Sequence, residues 1–213
     1  MDLKSPQKPY YAYTCPSYKL NQKSTMIELK VNTNFYVITG GPGVGKTTLL
    51  KELGKRNNEI VPEIARELIK AQNEINGEAL PWKNKESYKE LMFDHSIKSY
   101  EQIDKKANKE KLVFFDRGFL DTICYAELIR SEISQRMKSY AKKWRYNKNI
   151  FILPPWREIY KNDNERKQSW DEAVLTFEKM TETYKAYGYN IIEIPMKSAS
   201  ERAEFILEFI EKN

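Results

Sequence analysis

One run of nine residues combines three kinds of chemistry. It reads Gly40-Gly41-Pro42-Gly43-Val44-Gly45-Lys46-Thr47-Thr48. Gly41, Gly43 and Gly45 carry no Cβ, so the backbone is free to turn tightly and aim successive N–H groups at one point. Gly40, Gly45, Lys46 and Thr47 satisfy the spacing G-x-x-x-x-G-K-[ST]. In such a loop the Lys46 ammonium reaches the β- and γ-phosphates of a nucleoside triphosphate and the Thr47 hydroxyl ligates Mg²⁺, with Thr48 adding a phosphate contact. The plain alternative is a glycine-rich turn with an exposed lysine. The flanks argue against that. Phe35-Tyr36-Val37-Ile38 reads as a buried parallel strand, and the residues from Thr48-Leu49-Leu50 read as a helix. The helix start adds unpaired N–H groups and a positive dipole end.

A second acidic centre follows the same logic. Leu112-Val113-Phe114-Phe115 is an apolar strand ending in Asp116-Arg117-Gly118. A carboxylate at that point holds Mg²⁺ beside the loop hydroxyl, usually through a water. The competing role is a cap on the next helix. Arg117 is placed to reach a phosphate or brace the carboxylate. Glu63 and Arg66 follow a short strand, Glu59-Ile60-Val61-Pro62. Arg157 and Arg166 sit in a charged stretch after Pro154-Pro155, where a lid would carry positive charge over the phosphates. An ordinary charged helix-turn is the alternative there. His95, the single histidine, has no partner histidine and reads as a packed or solvated side chain.

The elements that must position these groups alternate. Strands are expected near 35–38, 59–62, 111–115, 149–153 and 190–194, closed by Pro154-Pro155 and Pro195 in the last two cases. Helices are expected after the loop to Gly54, from Ile64 to about Gly77, from Asn84 to Ala107, from Phe119 to Arg130 and from Glu132 to Trp144. Two more open on capping boxes, Ser169 with Glu172 and Ser198 with Glu201. Ile64, Leu68, Ile69 and Ile75 form the expected apolar face of the second helix. This alternation predicts an α/β fold of the P-loop NTPase type, a five-stranded parallel sheet with helices on both faces. All candidate groups then fall at the carboxyl ends of strands, where ligands bind in such sheets.

The chain has 213 residues, with 36 basic and 30 acidic side chains and a net charge of +6. That length gives one domain, expected over residues 26–213 with a lid at about 154–170. Residues 1–25, with three prolines and four tyrosines, read as a tail or arm. The charges are mixed, so nucleic acid is not indicated, although the basic helix after Glu132 would suit an anionic partner. Cys15 and Cys124 lack metal or redox spacing, which points to a reducing, cytoplasmic setting. No apolar run approaches a membrane span.

The ordered motifs GGPGVGKTT, VPEIARELI, LPW, FFDRGFLDT, LPPWREIYKNDNERKQS and EIP with a capped terminal helix resemble a family of bacterial predicted ATPases of the P-loop kinase class, known as "AAA domain" proteins. The resemblance covers roughly residues 27–211. That family is similar to nucleoside and nucleotide kinases and to the ribosylnicotinamide kinase domain. The resemblance implies ATP and Mg²⁺ as ligands. It implies that Asp116-Arg117 is the acidic–Arg pair after the third strand and that Glu63 occupies the place of the carboxylate that deprotonates the acceptor hydroxyl. It further implies lid arginines at Arg157 and Arg166. The chain departs from deoxynucleoside kinases in its loop, and Gln72 is only a nominal counterpart of their base-reading glutamine. No N-K-x-D guanine motif accompanies the loop.

Two functions fit these residues. One is a kinase moving the ATP γ-phosphoryl group to a small nucleoside-, nucleotide- or metabolite-type acceptor, with Glu63 or Asp116 accepting the proton. The other is a nucleotide-dependent switch or slow ATPase acting on a macromolecular partner, protein or nucleic acid.

Overall fold

The computed structural model describes residues 27–106, 110–160 and 169–213. The expected tail, residues 161–168 of the expected lid and Arg166 within it lie outside the described residues. In chain order the elements are β1 (Lys30–Val31), β2 (Phe35–Gly40), α1 (Lys46–Lys55), β3 (Glu59–Val61), α2 (Ile64–Glu74), α3 (Lys85–Lys106) and β4 (Val113–Asp116). They continue with α4 (Phe119–Leu128), α5 (Gln135–Lys143), β5 (Trp144–Arg145), β6 (Asn149–Leu153), α6 (Trp170–Ala186), β7 (Asn190–Glu193) and α7 (Ala199–Lys212).

Strands β3-β4-β2-β6-β7, in that spatial order, form one sheet in which every pairing is parallel. The central strand is β2, whose six residues are all buried. Its continuous apolar run reflects cover on both faces. Alternate side chains still go to opposite sides. Phe35 and Val37 pack with Phe93, Tyr100 and Phe119 of α3 and α4. Tyr36 and Ile38 pack with Leu49 and Leu53 of α1 and with Ala203 and Ile206 of α7. Leu49 and Leu53 have no exposure, and each such burial contributes about 1.5–3 kcal/mol. Beside the sheet, β1 and β5 form a separate two-residue parallel ladder.

Local signals set several ends. Both capping boxes close, with Ser169 and Ser198 accepting from the Glu172 and Glu201 N–H groups at 3.3 Å. Gly188 ends α6 in the left-handed region, at φ 79°. Other ends differ from the expectation. Gly54 lies inside α1, which stops after Lys55, with Asn57 taking the positive φ of 65°. Gly77 is likewise not the turning residue after α2; Asn76 is, at φ 51°. Ile75 is half exposed, so it does not belong to the buried face of that helix. Helix α5 starts at Gln135, later than Glu132, because Ser134 caps it by accepting from Met137 N. No helix of the described residues is long and apolar enough to cross a membrane.

Candidate functional site

Parallel register brings three strand ends together. Ile38 of β2 lies opposite Asp116 of β4, and Gly40 lies opposite Leu153 of β6. The loop between β2 and α1 therefore rises from the middle of the sheet, flanked by Asp116. Gly40 has φ 145°, and a Cβ there would meet the Leu153 carbonyl at 2.8 Å, so only glycine fits. Gly45 caps α1 at φ 85°, and a Cβ there would come within 3.1 Å of the Arg202 guanidinium. Gly43 also has a positive φ, at 81°. Gly41 does not take a positive φ, and a Cβ there would meet only ordinary contact at 3.8 Å.

Helix α1 opens with no side-chain cap and no acidic residue in its first turn. Its leading N–H groups and dipole end therefore face whatever occupies the loop. Thr47 and Thr48 are exposed there, whereas Lys46 and Val44 are buried.

Lys46 extends into a cluster of charges. Its Nζ lies 3.6 Å from Asp116 Oδ1. That oxygen is buried and has no hydrogen-bond partner. Next to it, Arg117 adopts φ 71°, in the left-handed region, which costs a non-glycine residue about 1–2 kcal/mol. The unusual turn, held by Arg117 N donating to Ile38 O at 3.1 Å, sends the guanidinium to two carboxylates. Its Nε donates to Glu63 Oε1 at 2.8 Å and its terminal N–H to Asp121 Oδ1 at 3.2 Å. Arg66 stands 4.0 Å from the second Glu63 oxygen but is largely exposed.

Asp121 was not indicated as a site residue by the sequence pattern, yet it ties the cluster to the fold. It accepts from Thr39 Oγ1, Gly118 N and the Tyr184 hydroxyl in addition to Arg117. One buried carboxylate thus links β2, the β4–α4 turn and α6. The available signal is the interval Gly118-x-x-Asp121, because an acid three residues past a helix N-cap commonly accepts the cap N–H.

Electrostatics follows from burial and neighbours. Burial pushes the Asp116 carboxyl up, against the pull of Lys46. Burial pushes the Lys46 ammonium down, and the Arg117 charge adds to this. Burial alone would raise Glu63 as well, but the charges of Arg117 and Lys46 and the Arg117 hydrogen bond outweigh it and hold Glu63 below its usual range. Burial opposes the Arg117 charge, and Glu63 and Asp121 overcome that opposition and raise its pKa. The buried Asp116 oxygen, ion-paired with Lys46 at 3.6 Å but accepting no hydrogen bond, has the chemistry of a ligand for a hard cation that takes few protein ligands, as Mg²⁺ does next to phosphates.

A cleft opens beside this cluster. Glu63, Asp116, Arg117 and Asp121 line it, together with the apolar Ile64, Met92 and Phe115 and with Ser96 and Ser99 of α3. Lys46, Glu63 and the adjacent pair Asp116-Arg117 are therefore brought together from three separate stretches of chain. Arg157 is not joined to them: it is exposed, with its guanidinium 5.2 Å from the Trp170 ring centroid. Gln72 is also elsewhere, accepting from Ala79 N at 3.1 Å and bracing the turn after α2. Arg202 of α7 is a further loop contact that sequence reasoning missed. It is buried, donates to Val44 O at 3.2 Å and lies against the Trp156 ring.

Fold and loop define a P-loop chain of the kinase-like class. The chain belongs to the AAA domain family, whose sequence model matches residues 35–202. No match is found among curated proteins. Among solved structures, deoxyadenosine kinase from M. mycoides with the products dCMP and dCDP is similar at a TM-score of 0.58 and 16% identity, over 84% of this chain and 100% of that one. Thymidylate kinase from Candida albicans is similar at 0.58 and 17%, over 84% and 91% of the two chains. The NadR protein in complex with NAD and AMP-PNP is similar at 0.57 and 18%, over 84% of this chain and 49% of that one. At these identities the likeness is one of fold.

Proposed function

We propose that this chain is a Mg²⁺-dependent kinase that moves the γ-phosphoryl group of ATP to a small acceptor of nucleoside, nucleotide or metabolite type. The observation that carries this reading is the buried Asp116 oxygen, without a hydrogen-bond partner and 3.6 Å from Lys46, at the end of the strand beside the phosphate loop. Kinase-like relatives in fold support it. In this reading the backbone from Gly40 to Gly45 and the start of α1 hold the polyphosphate. Lys46 neutralises charge on the β- and γ-phosphate oxygens, and Thr48 adds a contact. Thr47 and Asp116 hold Mg²⁺, which when bound offsets charge on the same oxygens. Arg117 orients Glu63, and Glu63, ionised at neutral pH, takes the acceptor hydroxyl proton. Arg157, which lies over the Trp170 ring here, and Arg166 are assigned to the leaving phosphates on sequence alone.

The test is γ-phosphate transfer from Mg-ATP across a panel of nucleosides, nucleotides and ribosides, with Lys46→Ala as control. A labelled product from one acceptor, reduced by about 10²-fold or more in the variant, is expected from loss of one preorganised donor. Binding of ATP with only slow hydrolysis across the panel would instead favour a nucleotide-dependent switch.

A further inference from the structure

Arg202 of α7 is a buried cation without an acidic partner among the described residues. It is 6% exposed, and its Nε makes no hydrogen bond among them. Burial pushes its pKa down, and no carboxylate opposes that shift. Arginine is almost never buried unless paired, because a charge removed from water is costly. This one is turned to the phosphate loop instead. A terminal nitrogen donates to the Val44 carbonyl at 3.2 Å. The two terminal nitrogens stand 3.1 and 3.2 Å from where a Cβ on Gly45 would be. The guanidinium lies over the Trp156 ring, 5.4 Å from its centroid, and Ile159 closes on the same glycine. An aromatic ring and the loop backbone together hold the planar group in place.

Fixing the Val44 carbonyl fixes the amide beyond it. No peptide of the described residues is cis, so the Val44 carbonyl and the Gly45 N–H point opposite ways across one rigid plane. Arg202 is the only donor to that carbonyl among the described residues, and the Gly45 N–H has no acceptor among them. With the carbonyl turned to α7, the N–H faces away from α7 and is left for a ligand. Gly45 is the N-cap of α1, so this donor joins the unpaired N–H groups of the first helical turn. Resting on the reading of this loop as a polyphosphate site, we infer that Arg202 is a positioning residue for the nucleotide: it holds the Val44–Gly45 peptide in the orientation that presents the Gly45 N–H to a phosphate oxygen. Loss of the guanidinium leaves a buried carbonyl unpaired, and the peptide is then free to turn towards another donor. The loop loses one preorganised N–H as it does so.

The sequence allows this one peptide to be observed alone. Val44-Gly45 is the only Val-Gly pair in the chain, so protein labelled with carbonyl-13C valine and 15N-glycine gives a single carbonyl-filtered amide signal. In unliganded protein, Arg202→Met is expected to move the Val44 carbonyl carbon upfield, because that carbonyl loses its donor. On saturation with Mg-ADP, the Gly45 amide proton of the wild type is expected to move downfield as it donates to a phosphate oxygen. In the variant that movement should shrink, and the Kd for Mg-ADP and Mg-ATP should rise about 3–10-fold, the size of one hydrogen bond. The amides of Gly77 and Gly188, away from the loop, should keep their positions, which separates the turning of one peptide from a loss of fold. Should the Met variant fold poorly, Arg202→Lys serves in its place. It keeps the charge but not the planar fork, so the same changes are expected in the same direction at smaller size. An unmoved Val44 carbonyl, or wild-type Gly45 movement and nucleotide affinity in the variant compared, would overturn the inference and leave the kinase reading standing. If Mg-ADP and Mg-ATP move no glycine amide of the wild type, the polyphosphate reading itself fails and the inference falls with it.

Discussion

As the proposed general base, Glu63 would serve two demands that pull in opposite directions. A general base works best when its pKa lies near the working pH, yet Arg117 and Lys46 hold this carboxylate below its ordinary range against the effect of burial. Phosphoryl transfer tolerates a weak base because its transition state is loose and much of the catalysis is positioning and charge stabilisation. Replacement of Glu63 by Gln should therefore spare ATP binding, measured by calorimetry, and lower transfer by about 10²–10⁴-fold. Loss of ATP binding in that variant would make Glu63 structural. Stability carries a second signature. A carboxylate whose folded pKa lies below its unfolded one stabilises the fold fully above the unfolded value and loses that contribution as pH falls through the folded value. The gap in unfolding free energy between wild type and E63Q, about 1.5–3 kcal/mol for a charged hydrogen bond, should therefore close on acidification below the ordinary glutamate range. Asp121 makes a sharper prediction, since Thr39, Gly118, Tyr184 and Arg117 all converge on it. Asp121→Asn should cost about 3 kcal/mol or more in urea unfolding, because it uncouples one partner of a buried ion pair.

At the level of elements, the start of α1 is where sequence and packing meet most closely. Gly45 satisfies a local demand, a positive φ ahead of a helix, and a tertiary one, room for Arg202. Gly45→Ala should destabilise the protein by about 1–2 kcal/mol through its backbone alone. It should also weaken Mg-ATP binding, because the N–H groups of the loop would be displaced. A thermal melt with and without Mg-ATP separates the two effects; an unchanged ligand-induced shift would mean that the loop tolerates a Cβ. Arg202 holds the same loop from outside by donating to the Val44 carbonyl. Arg202→Met should raise the KM for ATP several-fold with little change in kcat, as expected for a residue that positions the ground-state site. Helix α6 offers a control away from the site: Ser169→Ala opens its capping box and should cost about 1 kcal/mol with transfer unchanged.

On the scale of the whole molecule, a parallel sheet with β2 at its centre places the loop, Asp116 and Glu63 along one edge of the sheet. Ligand binding there should stabilise the entire domain. At a concentration 100 times Kd, Mg-ATP contributes about 2.7 kcal/mol, a rise in Tm of roughly 5–10 °C for a chain of this size. Lys46→Ala or chelation of Mg²⁺ should remove most of that rise. Burial raises the Asp116 pKa, so in the proposed site its protonated form would compete with Mg²⁺ at a higher pH than that of an exposed aspartate. The Mg²⁺ concentration needed for the thermal shift should accordingly increase as pH falls through that raised value.

The sequence by itself determined what is contiguous. Loop, strand and helix of the candidate phosphate site occupy one run, and strand alternation and capping boxes depend on residues a few positions apart. Helix ends were read to within one to three residues, at Gly54 for Lys55 and near Gly77 for Glu74, and the positive φ values there fall on Asn57 and Asn76. Tertiary structure decided what is distant. Glu63 meets Arg117 across 54 residues, Thr39 meets Asp121 across 82, and Arg202 meets Val44 across 158. None of these pairs has a local period. Each depends on which strands become neighbours, on the left-handed turn that redirects Arg117, and on the face of the sheet to which each crossover returns its helix.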